Sequence, residues 1–104
     1  STLVTASGDC TARVWSTRDW SHLHTLTGHQ RGVNACVFAP DGATLVTASD
    51  DNDIRVWRTS DWSLLHILTG HTHNVFACAF APNGTALVTG SRDGSARVWS
   101  DDQQ

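Results

Sequence analysis

Nearly the same eleven residues are spelled three times along this 104-residue chain: "TASGDCTARVW" at 5–15, "TASDDNDIRVW" at 47–57 and "TGSRDGSARVW" at 89–99. Trp15, Trp57 and Trp99 therefore stand 42 residues apart. The same interval separates Trp20 from Trp62, Gly28-His29 from Gly70-His71, Cys36 from Cys78 and Pro40 from Pro82. Laid over one another without a gap, residues 16–57 and 58–99 are identical at 25 of 42 positions. A period of this size marks stacked supersecondary units rather than one ordinary domain, because each unit buries its apolar faces only against its neighbours.

Turn signals cut one period into short strands. "GVNACVF" (32–38) is largely apolar and is closed by the turn "APDG" (39–42). "TLVTAS" (44–49) follows, then the acidic turn "DDND" (50–53) and the alternating "IRVW" (54–57), with Ile54 and Val56 on one face and Arg55 and Trp57 on the other. "RTSDW" (58–62) turns the chain into "SLLHIL" (63–68). Composition agrees: all ten acids are Asp and all seven bases Arg, with Glu and Lys absent. Good helix formers are scarce, while Thr, Val, Trp and the turn-favouring Asp, Gly and Ser abound. Four antiparallel strands per period form a meander, and apolar groups on both its faces call for a neighbour on each side.

At this length the chain buries about 65% of its unfolded surface at best. No apolar run approaches the ~18 residues of a membrane span. The net charge of −3 argues against a nucleic-acid backbone as partner. The three cysteines have no metal-ligand spacing, and Cys36 and Cys78 sit in apolar strands at equivalent places, too far apart to bond. Reduced structural thiols and a cytoplasmic location are the expectation.

Gly-His, a strand-turn-strand passing "FAPDG", then Ser-x-Asp and a closing Trp resemble the WD-repeat β-propeller family over residues 1–100. The Trp-Asp dipeptide of that family is replaced here by Trp15-Ser16, Trp57-Arg58 and Trp99-Ser100. The resemblance implies an all-β fold of four-stranded antiparallel blades. It also implies a hydrogen-bond network in each blade: His29, Thr47, Asp51 and Trp57; His71, Thr89, Asp93 and Trp99; and Thr5, Asp9 and Trp15 in a first unit without its His. An indole N–H only donates, a carboxylate only accepts, and a hydroxyl and a neutral imidazole do both, so the four types chain together. A set recurring once per repeat, with Trp as terminal donor, reads as a fastener and not as a catalytic triad. No catalytic residue, cofactor or metal is expected.

In the family's strand order, residues 1–26 give three strands of one blade, 32–68 a full blade and 75–100 three strands of another. As repeats, the chain divides into 1–15 (partial), 16–57 and 58–99, with a polar tail at 100–104. These two and a half blades form an incomplete ring, since closure takes ~4–8 blades. The mid-blade start and the lack of methionine point to an excerpt of a longer propeller. The implied function is a non-catalytic scaffold for other proteins or peptides, with no membrane and no nucleic acid as partner. The alternatives are a tile closing a ring from several copies through open blade edges, or the sensor or regulatory propeller of a larger protein.

Candidate partner-binding residues fall on two faces. Trp20 and Trp62 occupy an outer turn on the wider face, as blade-edge caps or as partner anchors. His24 and His66 are expected to be solvated edge residues, and Asp50, Asp51 and Asp53 a solvated turn. On the narrow face the positions expected to be exposed are Gly8; Gly32, Asn34 and Asp50; and Asn74, Phe76 and Arg92. The repeats disagree there, whereas Val33/Val75 and Phe38/Phe80 agree. Phe76 with Arg92 is the favoured pair, since aromatic and arginine side chains are frequent interface anchors. The alternative places Phe76 along the inner channel.

Overall fold

A computed structural model describes residues 2–100; Ser1 and residues 101–104, which make up most of the expected polar tail, lie outside the described residues. Ten strands and no helix are described: β1 (Thr2–Ala6), β2 (Ala12–Ser16), β3 (His22–Leu26), β4 (Val33–Phe38), β5 (Thr44–Ser49), β6 (Ile54–Arg58), β7 (Leu64–Leu68), β8 (Val75–Phe80), β9 (Ala86–Ser91) and β10 (Ala96–Ser100). They form three antiparallel meanders, β1-β2-β3, β4-β5-β6-β7 and β8-β9-β10. These are the first, middle and last blades of an open, unclosed arrangement.

The turns follow from their residues. In "APDG", Pro40 presets its own φ, Gly42 takes a left-handed φ of 74°, and its N–H bonds the Ala39 carbonyl at 2.9 Å. Gly84 closes the equivalent turn with a φ of 75°. The next turn also needs a left-handed residue, supplied by Asn52 (φ 74°), Gly94 (φ 86°) and, against the usual preference, Cys10 (φ 77°). Strand limits differ slightly from the expected ones. Gly32 stays outside β4 because its carbonyl accepts from the Asp50 N–H, and Ser63 stays in its turn because its carbonyl accepts from the Arg58 N–H.

Both faces of the middle blade are buried, each against a different neighbour. Leu45 and Trp57 meet Ala12, Val14 and Leu26 of the first blade. Val46, Ala48 and Ile54 meet Val75 and Leu87 of the last. The period of two along β5 and β6 thus sends alternate residues into two separate cores. Two irregularities interrupt the pattern and are not legible in it. A bulge follows Val33 in β4 and Val75 in β8, and another puts the extra residues Leu23 in β3 and Leu65 in β7 opposite the Val14–Trp15 and Val56–Trp57 steps. The first kind matters most, because the extra residue re-aims Asn34 and Phe76.

Candidate functional site

The polar clamp occupies the loop that enters each blade's innermost strand. In the middle blade Trp57 Nε1 donates to Thr47 Oγ1 at 3.0 Å, His29 Nε2 lies 2.7 Å from that hydroxyl, and His29 Nδ1 lies 2.9 Å from Asp51 Oδ2. The proton order follows from the ends. The carboxylate cannot donate, so Nδ1 carries the proton; Nε2 is then bare and accepts the Thr47 hydroxyl hydrogen, leaving that oxygen to accept from the indole. Asp51 further accepts from the backbone N–H groups of Gln30 and Asp53. Burial pushes the Asp51 carboxyl up, but those two N–H groups and the His29 ring outweigh it and hold it below the ordinary range. At His29 burial dominates and lowers the pKa despite the adjacent carboxylate, which keeps the ring neutral as the proton order requires.

The last blade repeats the set with Trp99 on Thr89 at 2.9 Å, His71 on Thr89 at 2.8 Å and His71 on Asp93 at 2.9 Å. In the first blade Trp15 Nε1 reaches Thr5 Oγ1 at 3.0 Å, while Asp9 serves its own turn by accepting from Thr11. Each complete clamp thus ties an inter-blade loop to the turn between two strands of its blade, and its histidine is buried. Gly28 and Gly70, just before those histidines, take left-handed φ values of 126° and 145° beneath the guanidinium groups of Arg55 and Arg97. Any side chain there meets both an unfavourable backbone conformation and the arginine.

The candidate partner-binding residues do not all stand free. Asp50 and Asn74 are half-buried rather than exposed, because they bond each other across the junction of the middle and last blades. Asn74 Nδ2 donates to Asp50 Oδ1 at 2.9 Å, and Asn34 Nδ2 donates to the same oxygen at 2.7 Å and to the Val75 carbonyl at 2.9 Å. Bonds from Asn34 and Asn74 hold the Asp50 carboxyl below its usual range. Gly32 is half-buried too, packed on Gly8 of the first blade, whereas Gly8, Asn34, Phe76 and Arg92 are exposed. Beside the Asp50–Asn74 pair opens a groove of about 390 Å³, edged by Gln30, Arg31, Asn52, Thr72 and His73. Arg31 and His73, both exposed, escaped the sequence reading. The signal was available, since Arg31 against His73 is another position where the repeats disagree.

On the opposite face, Trp62 is half-buried and stacks on His24 of the first blade, with ring centroids 6.1 Å apart and planes at 19°. His24 is thus exposed but not merely solvated. Trp20 is 63% exposed. Both tryptophans hold left-handed φ values near 60° in turns tied by Asp19 and Asp61. Cys10, Cys36 and Cys78 are unpaired. Burial pushes the Cys36 thiol up and the Cys78 thiol up to about 12, so both behave as small apolar groups.

Comparison with known proteins gives one consistent result. Residues 20–58 and 62–100 match the family model described as WD domain, G-beta repeat. The chain is similar to the Saccharomyces cerevisiae protein named ribosome assembly protein 4, at 43% identity over 42 residues, which is 40% of this chain and 8% of that protein. It is 40% identical over 43 residues, 40% of this chain, to 13% of a Yarrowia lipolytica protein named probable cytosolic iron-sulfur protein assembly protein 1. It is 45% identical over 40 residues, 38% of this chain, to 8% of mouse F-box-like/WD repeat-containing protein TBL1X. Each match spans about one repeat and a small part of the relative's length. With the family model covering most of its length, the chain belongs to the WD40 family of WD domain, G-beta repeat proteins.

Proposed function

We propose that this chain is part of a non-catalytic scaffold that holds other proteins or peptides on the edge carrying the clamp loops. The observation that supports the reading most is the clamp itself. The side chains that resemble a triad are consumed in a buried, directional hydrogen-bond chain, with a neutral histidine at its centre. Around that rigid frame stand loop side chains free to vary without disturbing the blades. The repeats are proposed to run over 1–15, 16–57 and 58–99, with the polar tail expected at 100–104 beginning only after Ser100, which pairs with Ala86 in β10, as an excerpt of a longer propeller. Free, half-buried thiols and the printed name of one relative, "cytosolic", favour a cytoplasmic setting.

The contact residues proposed are Phe76 and Arg92, with Arg31 and His73 at the groove, which Asp50, Asp51 and Asn74 also line, and Asn34 beside it on Asp50. Trp62 is given to the blade edge by its stack on His24, and Trp20 is the exposed aromatic of the opposite face. The test is partner capture by the protein carrying Phe76→Ala, Arg92→Ala, Arg31→Ala or Trp20→Ala. Loss with the first three and retention with the fourth is expected. Retention with the first three and loss with Trp20→Ala moves the binding face to the other side. Turnover in a broad hydrolase screen that disappears in His29→Ala contradicts the non-catalytic reading.

A further inference from the structure

The positions where the repeats disagree on the narrow face are paired across blade junctions. At the first junction Gly8 meets Gly32: a Cβ on Gly32 would stand 3.2 Å from the Gly8 Cα, so the two backbones touch with no side chain between them. At the second junction the equivalent pair is Asp50 and Asn74, bonded at 2.9 Å and joined by Asn34, which crosses to the next blade's Val75 carbonyl. The member on the leading blade and its match on the following blade change together, from Gly–Gly to Asp–Asn. Each junction thus has its own chemistry, while the apolar contacts beneath, Leu45 with Val14 and Leu87 with Val46, stay alike.

The last blade presents the leading half of a third such junction. Arg92 stands where Asp50 stands, its N–H bonded to the Asn74 carbonyl as that of Asp50 is to the Gly32 carbonyl. Phe76 stands where Asn34 stands, 52% exposed and lying over Gly90. Below them Val88 and Val98 are 41% and 63% exposed, although the equivalent Val46 and Val14 of the covered blades are fully buried. No described residue packs on this face.

The geometry points to this face as the docking surface for a further WD-type blade with two features: a Leu–Trp pair like Leu45 and Trp57, and an acidic side chain at the place of Asn74. Replacing the acceptor Asp50 by the donor Arg92 reverses the charge demanded of the follower. Replacing Asn34 by Phe76 exchanges a polar bridge for an apolar contact. A second copy of this chain satisfies only the first demand. Its first blade offers Leu3 and Trp15, but its described strands begin with β1, the counterpart of β5, and so include no counterpart of Asn74. The acidic follower is thus preferred over self-stacking. This inference concerns what covers the blade face: a follower there takes Phe76 and Arg92 into the junction and leaves Arg31 and His73 to the groove partner proposed above.

The probe is the full chain lengthened by one further copy of residues 58–99 placed directly after Trp99, which continues the 42-residue period and sets the added Asn74 opposite Arg92. Asn74→Asp in the added copy alone is expected to raise the melting midpoint by about 2–4 °C, and Asn74→Arg to lower it by as much. Arg92→Gln is expected to erase the difference. Equal midpoints for the Asp and Arg versions, or a difference that survives Arg92→Gln, overturn the inference. The unextended chain supplies an independent reading. Asp50→Arg and Asn74→Asp should each lower the midpoint and together lose less than the sum, the Asn34 bond to Asp50 being lost in both Arg versions, whereas additive losses overturn the pairing rule. Loss of partner capture with Arg31→Ala tests the groove reading separately, because Arg31 takes no part in this junction.

Discussion

Removing the Asp51 carboxylate should cost far more than removing a carboxylate from an exposed turn. In the folded chain Asp51 receives three hydrogen bonds: His29 Nδ1 at 2.9 Å, the Gln30 N–H at 2.9 Å and the Asp53 N–H at 3.0 Å. The His29 side chain is 2% exposed, so water cannot replace its lost partner, whereas the Gln30 N–H lies at the surface. Asp51→Ala therefore strands one buried donor, at a cost of about 1–3 kcal/mol. For a domain of this size each kcal/mol moves the midpoint by about 4–8 °C. Asp41 has one bond, to the Ala43 N–H at 2.9 Å in an exposed turn, and Asp41→Ala should stay within about 0.5 kcal/mol. Asp51→Asn keeps an acceptor oxygen and should fall between the two. Urea and thermal unfolding of the three variants, followed by tryptophan fluorescence, provide the measurement. Equal midpoints for Asp51→Ala and Asp41→Ala refute the reasoning.

The remaining expectations concern pH and two unusual backbone positions. His29 binds its proton less readily folded than at its ordinary 6.5, so the unfolded chain takes up more protons as the pH falls below that value. Stability should thus fall on acidification from about pH 6.5, with a further loss from Asp51 below 3.8; a midpoint that rises between pH 6.5 and 5 contradicts this. Cys10 holds a left-handed φ of 77° where the equivalents are Asn52 and Gly94, and Cys10→Gly should stabilise by about 0.5–1 kcal/mol in chemical denaturation. Trp62→Ala should lose about 1–2 kcal/mol by uncovering His24 and the adjoining core, while Trp20→Ala should stay within about 0.5 kcal/mol. Equal losses in the two tryptophan variants contradict the assignment of Trp62 to the blade edge.

The fold was readable because the period and the turn residues are local signals. "APDG" and its counterpart "APNG" each close a hairpin with a left-handed glycine, and alternation along "IRVW" assigns Ile54 and Trp57 to opposite cores without further information. The clamp's residues recur at one spacing as well, but so do many others, and it was the family resemblance that implied their bonding. The junctions were harder. Asp50 meets Asn74, and Gly8 meets Gly32, across an offset of 24 residues, whereas aligning repeats compares residues 42 apart. Such a comparison flags each position as variable and cannot show that two variable positions touch. The bulge after Val33 hid the direction of Asn34, because a strict period of two gives no warning of an extra residue. The Trp62–His24 stack was hidden likewise, joining the turn of one blade to the outermost strand of another.

The central claim, that each complete clamp is a directional chain with a neutral histidine at its centre, is tested most directly by the histidine tautomers. Long-range nitrogen–proton correlation spectra at neutral pH distinguish a proton on Nδ1 from one on Nε2. For His29 and His71 the expected result is a proton on Nδ1, facing Asp51 and Asp93, and a bare Nε2 accepting from Thr47 and Thr89. A proton on Nε2 at either ring, or a ring doubly protonated at pH 7, contradicts the account.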